Sequence, residues 1–128
     1  MGEVVALRKY EHVYEEVSNK DMRKDYCEFC GRTYGSFETH HIKTSGSGGP
    51  ECRANKINLC AECHDKAQTY IIKPWELIIR VALRESVPID VIYQAIGWPI
   101  PENIKELEDK SEELSQSTDF ASLPYRPY

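Results

Sequence analysis

Two Cys-x2-Cys pairs, Cys27/Cys30 and Cys60/Cys63, constrain this chain more than any other feature. A pair at that spacing sits on a tight turn, and four thiolates are a standard tetrahedral set for zinc. The 29 residues between Cys30 and Cys60 exceed what a simple zinc ribbon needs. They must leave and return as a folded excursion whose base a metal closes, and such a site contributes directly to folding free energy. The excursion carries His40-His41 and the Gly-rich loop Ser45 to Pro50, and returns through Lys56-Ile57-Asn58-Leu59; His64 follows Cys63 directly. Cys52 is left over, and reads as a spare thiol.

A length of 128 residues and an apolar fraction of 41% fit one domain with a modest core. Val4 to Leu7 is too short for a secretory leader, and no apolar run approaches the roughly 20 residues that span a membrane. A soluble, intracellular protein is the default expectation. Cysteines there stay reduced, so paired ones read as metal ligands before disulfides. The net charge of −5 argues against a nucleic-acid enzyme until it is located. Residues 1–101 hold 13 Lys/Arg and 14 Asp/Glu, whereas residues 102–119 hold seven acids and two lysines. The acidity belongs to the C-terminal arm, and the body is close to neutral.

The periodicity predicts a helix over residues 3 to about 24, from Val4, Leu7, Tyr10, Tyr14 and Val17 at spacings of three and four. Thr33 to Ile42 has strand character, Lys56 to Leu59 is a short return strand, and Ala61 to Thr69 reads as a helix begun at the second knuckle. Pro74 opens a further helix with Trp75, Ile78, Ile79, Ala82 and Leu83 on its core face. Ile89 to Ile96 is a short helix capped by Gly97. Residues 102 to about 115 form an acidic amphipathic helix with Ile104, Leu107 and Leu114 on its apolar side, followed by a mobile Ser/Pro-containing tail. The expected class is α+β: a small ββα-metal finger stapled by a four-cysteine zinc site, with flanking N- and C-terminal helices. The expected division is a lead-in (1–26), a core (27–72), a helical extension (73–97) and an acidic arm with its tail (98–128).

His40, His41, Asn55, His64 and Gln68 carry the chemistry. Phosphodiester hydrolysis needs a base for water, a Lewis acid at the phosphate and a group that holds the base. A histidine pair at a strand end can supply one metal ligand and one base. His64 lies on the first turn of a helix, and position 68 is one turn on, facing the same way. An Asn on the returning strand can hydrogen-bond the base or fix its backbone. His12 reads as a surface residue.

The pattern CEFCG–x8–HHI–x5–GG–x5–N–x4–CxxCH resembles the Cys-rich HNH endonucleases, which share the ββα-metal finger. The resemblance covers residues 27 to about 70, and it implies the cytoplasm of a bacterial or phage-infected cell, with phage, mobile-element and defence roles all open. It implies that His41 is the general base and that His40 and His64 hold a catalytic divalent ion. It also implies that Asn55 orients the base, with Asn58 a weaker candidate, and that the products carry 5′-phosphate and 3′-hydroxyl ends. Many members carry a further His four residues after the CxxCH histidine; here Gln68 stands at that position. An amide oxygen suits Mg2+ or Mn2+ better than softer ions, so Gln68 is a weak ligand, with Ni2+, Co2+ or Zn2+ as other candidate ions.

The implied partner is DNA, with the helix starting at His64 in the minor groove and Lys43, Arg53, Lys56 and Lys66 as phosphate contacts. Nothing in the sequence suggests base readout, so low intrinsic sequence specificity is expected. Monomer and homodimer, and nicking and double-strand cleavage, stay open. A rival reading is a zinc-organised binding module for nucleic acid or protein, with a silent site. Residues 88–107 weakly resemble a helix-turn-helix, but Glu102, Glu106, Glu108 and Asp109 on its second helix would repel phosphate. The acidic arm is a candidate contact for another protein, or a strap folded back over the basic side of the site.

Overall fold

A computed structural model describes residues 10–116. Its centre is a two-stranded antiparallel hairpin, β1 (Phe37–His41) and β2 (Lys56–Cys60), followed at once by a helix, α2 (Ala61–Gln68). The register pairs Phe37 with Cys60, His40 with Ile57 and His41 with Lys56. Every residue of β2 is buried: Ile57 and Leu59 lie in the core, and on the other face Lys56 and Asn58 reach the carbonyls of Val17, Lys24 and Tyr26 in the segment ahead of the hairpin. The α+β class and the ββα unit are as the sequence predicts.

Three further helices cover the hairpin: α3 (Pro74–Glu85), α4 (Ile89–Ile96) and α5 (Ile104–Gln116). Pro74 occupies the first turn of α3, and Glu76 accepts the backbone N–H of Lys73 at 2.8 Å to close the helix start. Gly97 ends α4 at φ +87, as expected for a left-handed cap. Leu77, Ile78, Val81 and Ala82 of α3 pack with Ile92 and Ile96 of α4 and with Ile57 and Leu59 of β2 in one continuous core. Leu107 of α5 is buried in that same core, with Ile104 and Leu114 packed against it. The acidic helix is therefore part of the fold, resting on α3 and α4. The strap expectation extends over residues 117–128, and this tail after Gln116 lies outside the described residues.

The N-terminal segment departs from the expected long helix. Among the described residues it holds a short 3-10 turn, Glu11–Tyr14, and one helical turn, α1 (Asn19–Met22). The stretch between them is extended because its backbone pairs with the chain ahead of β2: Val17 N–H donates to Glu51 O at 3.1 Å and Arg53 N–H to Glu15 O at 2.8 Å. Those ladder bonds compete with helix formation and win. Ser18 then caps α1 by accepting the Asp21 N–H. Val4 and Leu7 lie outside the described residues.

One buried cation joins the layers. Arg84 of α3, 1% exposed, donates to Glu28 in the first knuckle at 3.2 Å and to Glu85 at 2.6 Å. It also donates to the Lys56 and Arg53 carbonyls at 3.0 and 2.9 Å. Both Glu28 and Glu85 are buried, so each charge needs the other. The arrangement anchors the hairpin and knuckle to a helix well outside the Cys-x2-Cys frame. Among the described residues no helix is long and apolar enough to cross a membrane.

Candidate active site and four-cysteine centre

The four cysteines of the two knuckles converge as the spacing predicts. Their sulfur atoms all lie within 4.8 Å of one another, with Cys30 Sγ and Cys60 Sγ 3.9 Å apart. A tetrahedral ion bound at about 2.3 Å from each sulfur sets sulfurs about 3.8 Å apart, so the donor set fits zinc. Backbone N–H groups of Phe29 and Cys30 point at Cys27 Sγ at 3.4 and 3.5 Å, and that of Cys63 points at Cys60 Sγ at 3.4 Å. Such donors stabilise thiolate. The Cys63 thiol hydrogen-bonded to Cys27 pulls the Cys27 pKa down to about 4, while the same contact and burial push Cys63 up. Four thiols this close thus resist full ionisation unless a cation joins them. Cys52 is buried elsewhere, 3.9 Å from the Ala95 carbonyl, and burial raises its pKa.

The histidines gather on the other side of the finger, around an open cleft of about 440 Å³. Its walls include His40 and His41 from β1, Ser45 from the loop, His64 and Gln68 from α2, and Tyr70 just beyond. Strand alternation sends neighbouring side chains to opposite faces, but the strand ends at His41, and both imidazoles reach the cleft. His40 stands against α2, with its ring edge-on to His64 at 5.2 Å between centroids. Two imidazoles sharing an ion at about 2.1 Å from each nitrogen place their ring centres roughly 5 Å apart, so this pair fits a divalent ion. Burial, then the neighbouring His64 and His41, hold the His40 pKa down to about 4. That keeps the ring neutral, as a metal ligand must be. Gln68 lines the same cleft one turn beyond His64 and is exposed.

Two carboxylates complete the geometry, and sequence reasoning missed both. Glu38 lies 2.8 Å from His64 Nδ1, which leaves Nε2 free of that contact. Its position two residues before His40, on the same strand face, was the available signal. Glu51 lies 3.1 and 3.2 Å from His41 Nε2. It immediately follows the Gly-rich loop, and nothing local in the sequence places it beside His41.

Asn55 is fully buried, and its amide closes that loop. Nδ2 donates to the Lys43 and Pro50 carbonyls, both at 2.9 Å, and Oδ1 accepts the Lys43 N–H at 2.8 Å. With both amide protons so engaged, Asn55 fixes the backbone on either side of the loop, and its amide contacts go to backbone groups. Gly49 makes the closure possible, since a Cβ there would come within 1.8 Å of the Lys43 carbonyl oxygen. Asn58 points away, donating to the Lys24 and Tyr26 carbonyls beneath the first knuckle.

The cations expected to contact phosphate have different surroundings. Lys56 is 1% exposed and spends its ammonium on Glu51 at 2.8 Å and the Val17 carbonyl at 2.6 Å. Burial makes it a structural cation. Arg53 forks onto buried Glu85, with Nε 2.8 Å from both carboxylate oxygens. Lys43 reaches the Gly97 carbonyl at 3.3 Å, and Lys66 pairs with Glu62 at 3.2 Å on the exposed face of α2. Glu62 is held ionised by Arg32 first and Lys66 second. His12, on the surface as expected, touches the Glu85 carbonyl at 3.2 Å.

The family model described as HNH endonuclease matches residues 27–69, about a third of the chain. This segment, from the first knuckle to the end of α2, is similar to the HNH endonuclease family, in line with the resemblance its motif carries. No curated protein and no solved structure matches the chain.

Proposed function

We propose that this protein is a metal-dependent endonuclease that hydrolyses DNA phosphodiester bonds with low intrinsic sequence specificity. The observation that carries the reading is the convergence of His40, His41 and His64 on one open cleft, at the mouth of a finger closed by four cysteines. In this reading Cys27, Cys30, Cys60 and Cys63 hold a structural zinc. His40 and His64 would hold a divalent ion, Mg2+ or Mn2+ first, with Gln68 as a weak further ligand. When bound, that ion supplies Lewis acidity at the phosphate and the departing 3′ oxygen.

The residues divide the remaining work. His41 takes a proton from water, which attacks phosphorus in line with the leaving oxygen. Glu38 holds His64 in the tautomer that can ligate. Asn55 fixes the loop that frames the base. Lys43, between the cleft residues Ile42 and Thr44, and Lys66 on α2 are the cations best placed to meet phosphate; buried Lys56 and the Glu85-bound Arg53 are not.

Cleavage of supercoiled plasmid in the presence of Mg2+, Mn2+, Co2+ or Ni2+ tests the reading, with nicked and linear products scored separately. The expected result is divalent-dependent cutting that His41→Ala abolishes while one zinc per chain is retained. Failure to cut with all four ions would overturn the proposal. It would favour the second reading, a zinc-organised binding module with a silent site, for which the nearly neutral body and acidic α5 are the supporting features.

A further inference from the structure

We propose that Glu51, anchored by the buried Lys56, is the positioning residue of the base His41. The inference rests on the assignment of His41 as the base of a nuclease. His41 and Lys56 are direct cross-strand partners on the hairpin, so they share one face. Glu51 bridges them: one carboxylate oxygen is 2.8 Å from Lys56 Nζ and the other is 3.1 Å from His41 Nε2. Lys56 cannot drift, since it is 1% exposed and also donates to the Val17 carbonyl at 2.6 Å. A lysine this buried is disfavoured unless its charge is matched, and Glu51 is the carboxylate that matches it. The network Val17 O, Lys56, Glu51, His41 therefore fixes a carboxylate on the imidazole from within the core.

The chemical consequence follows from what a carboxylate can do. An ionised carboxylate only accepts, so Nε2 of His41 carries the proton and Nδ1 is left as the basic nitrogen. Water gives its proton to Nδ1, the hydroxide so formed attacks phosphorus as the P–O3′ bond breaks, the departing 3′ oxygen takes a proton from solvent, and the imidazolium is stabilised by Glu51 across Nε2–H. The Lys56 charge cancels that of Glu51, so the carboxylate beside the cleft adds little repulsion toward a phosphate. Asn55 contributes by closing the loop from Lys43 to Pro50, which delivers Glu51 to the histidine. The Asn thus acts at one remove, and the contact with the base is made by Glu51.

Two measurements on the zinc-loaded full chain test this. The first is the His41 imidazole Nε2–H resonance in 1H–15N spectra, assigned by its loss in His41→Ala. A proton held by Glu51 exchanges slowly enough to be seen, and Glu51→Ala removes the signal. The second is steady-state cleavage of supercoiled plasmid with Mg2+ or Mn2+. Glu51→Ala should lower kcat by roughly 10²-fold, with KM and zinc content unchanged, and cause no further loss in a His41→Ala background. If Glu51→Ala leaves Lys56 unpaired and unfolds the chain, Glu51→Ala/Lys56→Met removes both charges and is measured in its place.

A wild-type spectrum without the Nε2–H signal would overturn the proposal. So would wild-type kcat in the Glu51 variant while His41→Ala is inactive, or a loss confined to KM. If the wild-type chain cuts no DNA, the nuclease reading fails separately, and the resonance alone decides whether Glu51 fixes the imidazole.

Discussion

The four-cysteine centre and the histidine cleft are built from the same hairpin and the same helix, yet they are opposite kinds of site. The cysteines converge on a single point, are mostly buried, and receive backbone N–H groups, so every donor is directed inward. The histidines line an open cleft, and their outer nitrogens are oriented by two exposed carboxylates, Glu38 and Glu51. Among the described residues, the cysteines form a metal-competent group of three or more His, Cys, Asp or Glu side chains; His40 and His64 are a pair. Four converging donors make a closed, structural site. Two donors and open space make a site that must recruit water and substrate oxygens to complete its coordination. One short ββα unit therefore carries a closed cysteine centre and an open histidine cleft, with only Cys63 to His64 between them.

The largest effect that can break this contrast is loss of the knuckles. Cys60→Ser with Cys63→Ser should leave the domain unfolded by circular dichroism and without zinc, since structural zinc contributes on the order of 10 kcal/mol or more. A cooperative melt like that of wild type would place the folding energy elsewhere. Arg84→Met comes next, because it leaves buried Glu28 without its cation and Glu85 with Arg53 alone. A destabilisation of about 3–5 kcal/mol by denaturant titration is expected. Because Arg84 grips both the knuckle and the carbonyls flanking Asn55, zinc retention and cleavage should fall together. Independent behaviour of the two sites would refute that coupling.

His64→Ala should separate the sites instead. Cleavage falls at least about 100-fold, near 3 kcal/mol in the barrier, while the melt and zinc content stay at wild-type values. Acid provides a gentler probe. Lys56 first, and His41 second, hold the Glu51 pKa down from its ordinary 4.5 to about 2. A depressed carboxylate stabilises the fold above 4.5, and that contribution is lost as pH falls toward 2. Glu51→Gln should flatten this part of an acid titration followed by fluorescence, and an unchanged profile would show that the pair does not couple to folding. Smallest is Tyr70→Gly. Tyr70 follows α2 with φ +62 and is 61% exposed, so glycine relieves a strained backbone with little packing lost. A gain of about 1 kcal/mol is expected in the melt, and a loss would mean that the tyrosine ring packs more productively than its exposure indicates.

The sequence by itself determined the frame. Two Cys-x2-Cys pairs dictate where the chain must close, His40-His41 and His64 fall where a strand and a helix meet, and the strand and helix periods give α+β. These features are local or are set by fixed spacing, so they can be read along one dimension. Only the tertiary structure decided the rest, because the deciding contacts join residues distant in sequence. The predicted N-terminal helix gave way to extended pairing with residues 51–53. Lys56, which reads as a phosphate contact, is drawn into the core by the Val17 carbonyl and Glu51. Asn55 acts on the surroundings of His41 through the loop it closes, and Glu51 reaches His41 directly only because that loop folds back across ten positions. Spacing specifies which residues can meet; burial and charge matching select which of them do.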